Sequence, residues 1–113
     1  MDTSLVKRLS DQLGGPRDGA LLRYSLGNAL LAEGDVGAAV TQLREAVAFD
    51  RSYSAAWKSL AGALEVLGER DAAMAAYRDG IAVAAARGDK QAEKEMRVFL
   101  RRIERMEQPK PRC

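Results

Sequence analysis

The chain has 113 residues, 47% of them hydrophobic and 30% charged, which is the composition of one ordinary globular domain with a single core. It has no histidine, and its one cysteine is the last residue, Cys113, so catalysis by a histidine triad, zinc chemistry and an intramolecular disulfide are excluded. The net charge is +2, but residues 1–86 carry nine Lys and Arg against eleven Asp and Glu, whereas residues 87–113 carry nine against five. The basic excess lies at one end of the chain.

No apolar run approaches the ~18–20 residues that a membrane helix needs. The first residues, Met1-Asp2-Thr3-Ser4, lack the basic and apolar regions of a signal peptide. We therefore expect a cytoplasmic protein. We also expect no catalysis, no cofactor and no metal site, since the carboxylates cluster near predicted turns, where capping and solvation explain them.

The first predicted element is a capping helix over residues 3–14. Its apolar residues recur at one-face helical spacing, and Gly14-Gly15-Pro16 ends it. The apolar positions of this helix are Leu5, Val6, Leu9 and Leu13. Moved along the chain by 34 residues they fall on apolar positions again, so the helix resembles the second half of a repeat.

Residues 26–47 recur 34 positions later as residues 60–81. The matches include Leu26/Leu60, Ala29/Ala63, Leu30/Leu64, Gly34/Gly68, Ala39/Ala73 and Arg44/Arg78. A fixed period of this length indicates stacked helix-turn-helix units that bury their apolar faces against one another. We assign residues 19–52 and 53–87 to two repeats, with helices over residues 19–33, 36–49, 53–67 and 71–86.

Turn and cap residues delimit these helices. Gly34 and Gly68 are predicted to take the left-handed conformation that ends the first helix of each repeat. Asp18 and Ser52, again 34 apart, are predicted N-caps of the first helices, and Asp35 is the predicted N-cap of a second helix. Small residues are predicted where paired helices cross, at Gly27, Ala39, Ala46, Ala61, Ala73 and Gly80.

The last predicted helix covers residues 89–107, with Asp89 as its N-cap. Its apolar stripe, which would close the stack, consists of Ala92, Met96, Phe99, Leu100, Ile103 and Met106. Placing Met96, Phe99, Leu100 and Ile103 in the core gives the best apolar match and makes the second repeat about five residues longer than the first. Residues 108–113, with two prolines, are predicted to be a flexible tail.

The repeat positions carry a family resemblance. They read Trp57, Leu60-Ala61, Leu64, Ala73, Tyr77 and Gly80 in one copy, and Arg23, Leu26-Gly27, Leu30, Ala39, Leu43 and Ala46 in the other. This pattern over residues 20–86 resembles the tetratricopeptide repeat (TPR) family, and the chain is similar to its small stand-alone bacterial members. Arg23 and Arg51 depart from the usual Trp and Pro. The resemblance implies an all-α, right-handed α-α superhelix of antiparallel helix pairs.

The resemblance also implies a concave groove, lined by the first helices, that binds a peptide segment or a helix of a partner protein. Helical geometry then puts Tyr24, Asn28, Lys58, Ser59 and Glu65 on the groove side. Tyr24 suits an aromatic anchor, Asn28 an amide for peptide backbone and Lys58 a group for a carboxylate. The alternative is that these are ordinary solvent-facing positions.

Some family members clamp the C-terminal carboxylate of a chaperone tail with Lys and Asn residues one turn apart on one helix. Asn28 and Lys58 are of the right types, but the turn before Asn28 carries Tyr24 and the turn after Lys58 carries Gly62. The match is partial, so the clamp is a minor alternative.

One face of the last helix is basic, with Lys90, Lys94, Arg97, Arg101 and Arg105 spaced by 4, 3, 4 and 4 residues. In the register above it turns toward the groove or its rim, so we assign Lys94, Arg97 and Arg101 to partner binding and favour an acidic segment. The alternative is a solvated face with intrahelical pairs Glu93–Arg97 and Arg101–Glu104. The pattern disfavours nucleic acid as the partner, because this face has no aromatic side chain for stacking.

The predicted function is that of a non-catalytic adaptor for protein-protein interaction, a monomer or weak homodimer. The rival prediction is a structural role, in which the exposed ends of the open stack pair with another copy.

Overall fold

A computed structural model of the chain describes residues 4–107. The helices of this region are α1 (Leu5–Ser10), α2 (Ala20–Ala32), α3 (Val36–Phe49), α4 (Ser54–Val66), α5 (Arg70–Arg87) and α6 (Lys90–Glu107). The all-α prediction is confirmed, while the tail predicted at residues 108–113 lies outside the described region. None of the helices within residues 4–107 is long and apolar enough to cross a membrane.

The predicted first helix is too long. Helix α1 ends at Ser10, and the chain then tightens into turns in which the N–H groups of Gln12 and Leu13 donate to carbonyls three residues back. The bend is completed at Gly14, whose φ is 77°. Helix α1 is therefore a short capping helix that packs against α2.

The helices form two layers. Helix α4 contacts both α2 and α6, whereas α3 packs on α2 and α4, and α5 packs on α4 and α6. The layer of α2, α4 and α6 thus covers the layer of α3 and α5, with the core between them. The largest fully buried side chains are Tyr77, Leu26, Leu43, Leu60, Leu64, Met96 and Ile103.

The two helix pairs turn in the same way. Gly34 and Gly68 have φ angles of 83° and 79°, as predicted. After each glycine the next N–H donates five residues back, from Asp35 to Leu30 at 2.9 Å and from Glu69 to Leu64 at 3.0 Å. This Schellman arrangement satisfies the last carbonyls of the helix and reverses the chain. The short turns make the paired helices antiparallel.

The N-caps predicted at Asp35 and Asp89 are confirmed. Their carboxylates accept from the N–H groups of Ala38 at 3.4 Å and Ala92 at 3.2 Å. Asp89 also accepts from the hydroxyl of the buried Ser54 at 2.8 Å, which ties the start of α6 to the start of α4.

The N-caps predicted at Asp18 and Ser52 are wrong. The cap positions are Gly19 and Tyr53, and neither makes a side-chain cap bond. The predicted residues have other partners: the hydroxyl of Ser52 donates to Asp50 at 2.6 Å. The carboxylate of Asp18 forms a bidentate ion pair with a residue of α2.

That ion pair joins Asp18 to Arg23, with Nε–Oδ1 2.9 Å and Nη2–Oδ2 2.8 Å. Asp18 also accepts from the backbone N–H of Gly14 at 2.9 Å, so it ties α2 to the turn after α1. The hydrogen bonds from Arg23 and Gly14 hold the pKa of the Asp18 carboxyl far below its usual range. Charge-assisted bidentate pairs of this kind are among the stronger polar interactions in proteins.

Arg23 and Arg51, the two residues that depart from the family pattern, both lie over aromatic rings. The guanidinium of Arg23 is 5.7 Å from the ring centroid of Phe49, and that of Arg51 is 5.2 Å from the ring of Trp57. The indole N–H of Trp57 also donates to the Arg51 carbonyl at 2.9 Å. The arginines therefore cover apolar surface, as their long stems allow.

Two glycines lie where helices approach most closely, as predicted. A Cβ atom at Gly80 would lie 2.6 Å from Met96 Sδ and 2.8 Å from Trp57 Cβ, so α4, α5 and α6 meet there without room for a methyl group. At Gly27 a Cβ atom would lie 2.6 Å from Leu43 Cγ. The other predicted crossing residues, Ala39, Ala46, Ala61 and Ala73, are all fully buried.

The prediction that an apolar stripe of α6 closes the stack is confirmed for the middle of the helix and wrong for its last turn. Met96 and Ile103 are 0% and 1% exposed, and Phe99 and Leu100 pack partly against the core. Met106 is 53% exposed. Met106 lies beyond Ile103, the last buried residue of α6, and so past the end of the core.

We predict that one substitution has opposite effects at two helical glycines. Gly80→Ala should lower the free energy of unfolding by about 1–3 kcal/mol, because Trp57 Cβ is held close to the backbone of α4 and cannot move away. Gly62→Ala should raise it by about 0.5–1 kcal/mol, because alanine favours the helix and the nearest atom to the new Cβ, the Tyr77 hydroxyl oxygen, is 4.0 Å away. Urea unfolding followed by circular dichroism measures both. Equal shifts of the same sign would contradict the close approach.

A second prediction concerns pH. The lowered pKa of Asp18 means that the fold favours its charged form, so Asp18→Asn should unfold at a lower temperature than wild type at pH about 7. The difference should shrink as the pH falls below about 4, because unfolded wild type then binds a proton at Asp18 that the native carboxyl binds only at still lower pH. Thermal unfolding across this range measures the effect. A difference that is independent of pH would contradict it.

Candidate functional site

An open cleft of about 360 Å³ lies between α4 and α6 on their exposed side. We call it the α4–α6 cleft. Its lining residues are Lys58, Ser59, Gly62, Glu65, Val66, Tyr77, Phe99 and Arg102. The cleft is open at its centre because Gly62 has no side chain, and the nearest atom to a Cβ built there is the Tyr77 hydroxyl oxygen.

One end of the cleft is held by a hydrogen-bonded cluster. The hydroxyl of Tyr77 donates to Glu65 Oε1 at 2.7 Å, and Arg102 donates to Glu65 Oε2 at 3.3 Å. Burial, together with the hydrogen bond to Glu65, raises the pKa of the Tyr77 hydroxyl well above its usual value, so it stays protonated. The ring of Phe99 packs against Tyr77 with centroids 5.9 Å apart, and the Arg102 guanidinium lies 5.3 Å from the Phe99 centroid. Both Glu65 oxygens are therefore engaged.

The other end is held by an ion pair between α4 and α6. Lys58 Nζ lies 2.7 Å from Glu95 Oε1, and its hydrogen bond lowers the pKa of the Glu95 carboxyl. Along α4 the lysine of the first pair, Lys58, is followed seven residues later by Glu65. Along α6 the order of charges is reversed, with Glu95 followed seven residues later by Arg102. Every charged side chain lining the cleft thus has an opposite charge beside it.

These contacts bear on the carboxylate clamp. The Lys58 ammonium group, which would hold the terminal carboxylate of a partner, already pairs with Glu95. A partner carboxylate would have to displace Glu95 from it. Gly62, one turn later on α4, contributes no side chain to a clamp.

The α2 part of the predicted groove behaves differently. The Tyr24 ring packs on Tyr53 with centroids 4.9 Å apart, so it joins α2 to the start of α4 as well as facing outward. Asn28, one turn later, is half-buried and makes no side-chain hydrogen bond within residues 4–107. Ser59 on α4 is likewise half-buried without a partner in the described region. Asn28 and Ser59 therefore offer unsatisfied polar groups.

The basic residues predicted on α6 are not brought into the cleft. Glu95 and Arg102 are the residues of α6 that reach α4, and at 100° per residue Arg97 and Arg101 point about 160° and 120° away from Glu95. Lys94 lies at the rim, in a hollow next to Glu95. Of the basic face predicted to turn toward the groove or its rim, Lys94 therefore lies at the rim, whereas Arg97 and Arg101 point away from α4.

The pairs predicted within α6 are half right. Arg97 pairs with Glu93 at 2.9 Å, as the solvated alternative predicts. Glu104 instead pairs with Arg78 of α5 at 3.3 Å, which leaves Arg101 without an acidic partner in residues 4–107.

Sequence reasoning missed several cleft residues as site residues. Phe99 was assigned to the core alone, and Arg102 was not assigned at all. One signal existed for Arg102: it lies next to Arg101 but falls outside the spacing of the basic stripe.

Comparison with known proteins agrees with the geometry. A family model described as Tetratricopeptide repeat matches residues 2–84. The TPR repeat-containing protein PA0015 of Pseudomonas aeruginosa is 44% identical over 101 residues, which make up 89% of this chain and 96% of that protein.

Solved structures show the same fold. The solution structure of protein BPP2914 from Bordetella parapertussis has a TM-score of 0.79 and 40% identity, covering 94% of this chain and 91% of that one. The solution structure of a tetratricopeptide repeat domain protein from Salinibacter ruber has a TM-score of 0.76 and 26% identity, covering 87% and 98%. The chain belongs to the tetratricopeptide repeat family, whose domains are generally non-catalytic modules for protein interaction.

Proposed function

We propose that the protein is an adaptor that binds a segment of a partner protein along α2, α4 and α6, with an apolar side chain of that segment in the α4–α6 cleft. The observation that carries the proposal is the space above Gly62. Val66, which is 71% exposed, and Phe99 give this space apolar walls. An apolar side chain entering it would leave water and cover both.

The polar groups of the groove suit a peptide backbone. Asn28 and Ser59 have no internal hydrogen-bond partner in the described region. An amide both donates and accepts, so Asn28 can bond the N–H and C=O groups of an extended segment. Such bonds fix the position of the segment, while the apolar contact supplies most of the affinity.

Charge has a smaller part inside the cleft. Lys58 and Arg102 are each paired with a glutamate, so the cleft has no free cation for an acidic partner. A partner carboxylate at either cation would replace an existing surface ion pair, so the exchange gains little. The cleft is therefore expected to select by shape and apolar contact, and a preference for acidic segments must arise elsewhere.

Filling the cleft tests the proposal. Peptides selected from a displayed random library with wild type should bind Gly62→Leu at least about tenfold more weakly, because the leucine occupies the space that the partner side chain needs. The control is Gly37→Leu in α3, where nothing lies within 4 Å of an added Cβ. Fluorescence anisotropy measures both affinities, and circular dichroism checks that the helices remain. Equal binding by Gly62→Leu and wild type would remove the cleft from the binding site.

A further prediction separates the groove from the carboxylate clamp. Amidation of the C-terminus of the selected peptides should change affinity by less than about twofold, because Lys58 is already engaged by Glu95. A clamp would lose a charge-assisted hydrogen bond, which corresponds to about tenfold or more. A loss of that size, absent in Lys58→Ala, would establish the clamp instead.

A further inference from the structure

The acidic side chains of α6 are all engaged within the fold. Three of them reach other helices and one pairs along α6 itself. The pairs are Glu95–Lys58 at 2.7 Å, Glu104–Arg78 at 3.3 Å, Glu107–Arg70 at 3.3 Å and Glu93–Arg97 at 2.9 Å. No carboxylate of α6 is left to neutralise its remaining cations.

Four cations of α6 have no ion pair within residues 4–107, namely Lys90, Lys94, Arg101 and Arg105. All four are exposed. They follow one side of the helix over about 22 Å, since each residue rises 1.5 Å. We call this surface the outer basic face. It lies at the end of the stack, on the side of α6 away from the core.

An apolar hollow borders the outer basic face. It measures about 390 Å³ and is lined by Gln91, Lys94, Glu95, Val98 and Phe99. Val98 lies one helical turn from both Lys94 and Arg101, and it is 56% exposed. The Glu95 carboxylate at the edge of the hollow is neutralised by Lys58. The hollow is thus an apolar spot with Lys94 in its lining and Arg101 one turn from Val98, both without an ion pair in residues 4–107.

We propose that the outer basic face docks an acidic segment of a partner protein that carries an apolar residue. The apolar residue lies in the hollow at Val98, and carboxylates on either side of it pair with Lys94 and Arg101. The proposal rests on the adaptor function proposed above and adds a second surface to it. This surface supplies the preference for acidic segments that the paired charges of the cleft do not.

The residues around the outer basic face favour a protein partner over nucleic acid or a membrane. Nucleic acid binding relies on aromatic side chains for base stacking. The one aromatic residue of α6 is Phe99, in the wall of the hollow, and its ring already packs on Tyr77 and lies under the Arg102 guanidinium. A helix that lies on a membrane inserts a broad apolar face, but the apolar stripe of α6 is buried in the core through Met96 and Ile103. Val98 alone is too small an anchor for a bilayer.

The test uses the full chain and a labelled peptide in which glutamates flank a single leucine. Wild type should bind it, with affinity falling as NaCl is raised from about 50 to 500 mM. Lys94→Glu/Arg101→Glu should weaken binding at least about tenfold, because two attractions become repulsions. The neutral variant Lys94→Gln/Arg101→Gln should show a smaller loss, and Val98→Ser should weaken binding at constant charge.

The matched control is Arg17→Glu/Arg44→Glu. Both arginines are exposed and lack an ion pair in the described region, and reversing them changes the net charge by the same amount on other parts of the molecule. This variant should bind the peptide within about twofold of wild type. An equal loss in both double variants would mean that only net charge matters, and would overturn the site.

Three other outcomes would overturn the proposal. One is equal binding of a peptide with glutamines in place of its glutamates. Another is tighter binding of a thymidine oligonucleotide or of phosphatidylserine vesicles, lost in Lys94→Glu/Arg101→Glu, which would assign the face to phosphate groups. The third is loss of acidic-peptide binding by the Gly62→Leu variant, which would place the peptide in the α4–α6 cleft. That result would support the proposed adaptor function and remove the outer basic face as a second binding surface.

Discussion

The structure depends on the close approach of α4, α5 and α6 at Gly80. Met96 and Trp57 both lie where a methyl group on that residue would be, so the three backbones can meet only because glycine is there. This contact fixes how α6 is rotated, with Met96 and Ile103 inward. Once the rotation is fixed, the residues next to Met96 have fixed directions as well: Glu95 reaches α4, and Lys94 lies at the rim.

The same rotation determines which charged side chains of α6 form ion pairs. In the sequence its basic residues look alike, but in the fold Arg102 joins Glu65 at the cleft and Arg97 is neutralised by Glu93. Lys94 and Arg101 are left without partners in the described region. The molecule therefore combines a cleft with balanced charge and a flank with unbalanced charge. Shape would govern recognition at the first, and ionic strength would govern it at the second.

Local patterns made much of the fold predictable. The apolar period located α3 at the residues where it occurs, and the glycines at the repeat turns mark the left-handed positions because few other residues tolerate them. The caps at Asp18 and Ser52 failed because each side chain had a stronger competitor, Arg23 and Asp50, which spacing does not reveal. The site was less predictable: Met96 and Ile103 were expected in the core, but which charged side chains of α6 reach α4 depends on how Met96 packs against Gly80 of the second repeat, a contact that no single helix encodes.

A stack of helix pairs has open ends, much as a β-sheet has edges, and an uncovered end invites further copies to add on. The terminal helix of this chain presents like charges there. A two-fold dimer formed through that surface would bring the outer basic face of one copy against the outer basic face of the other, and the repulsion disfavours it. The arrangement limits growth of the array in this direction while leaving the surface open to a partner of opposite charge.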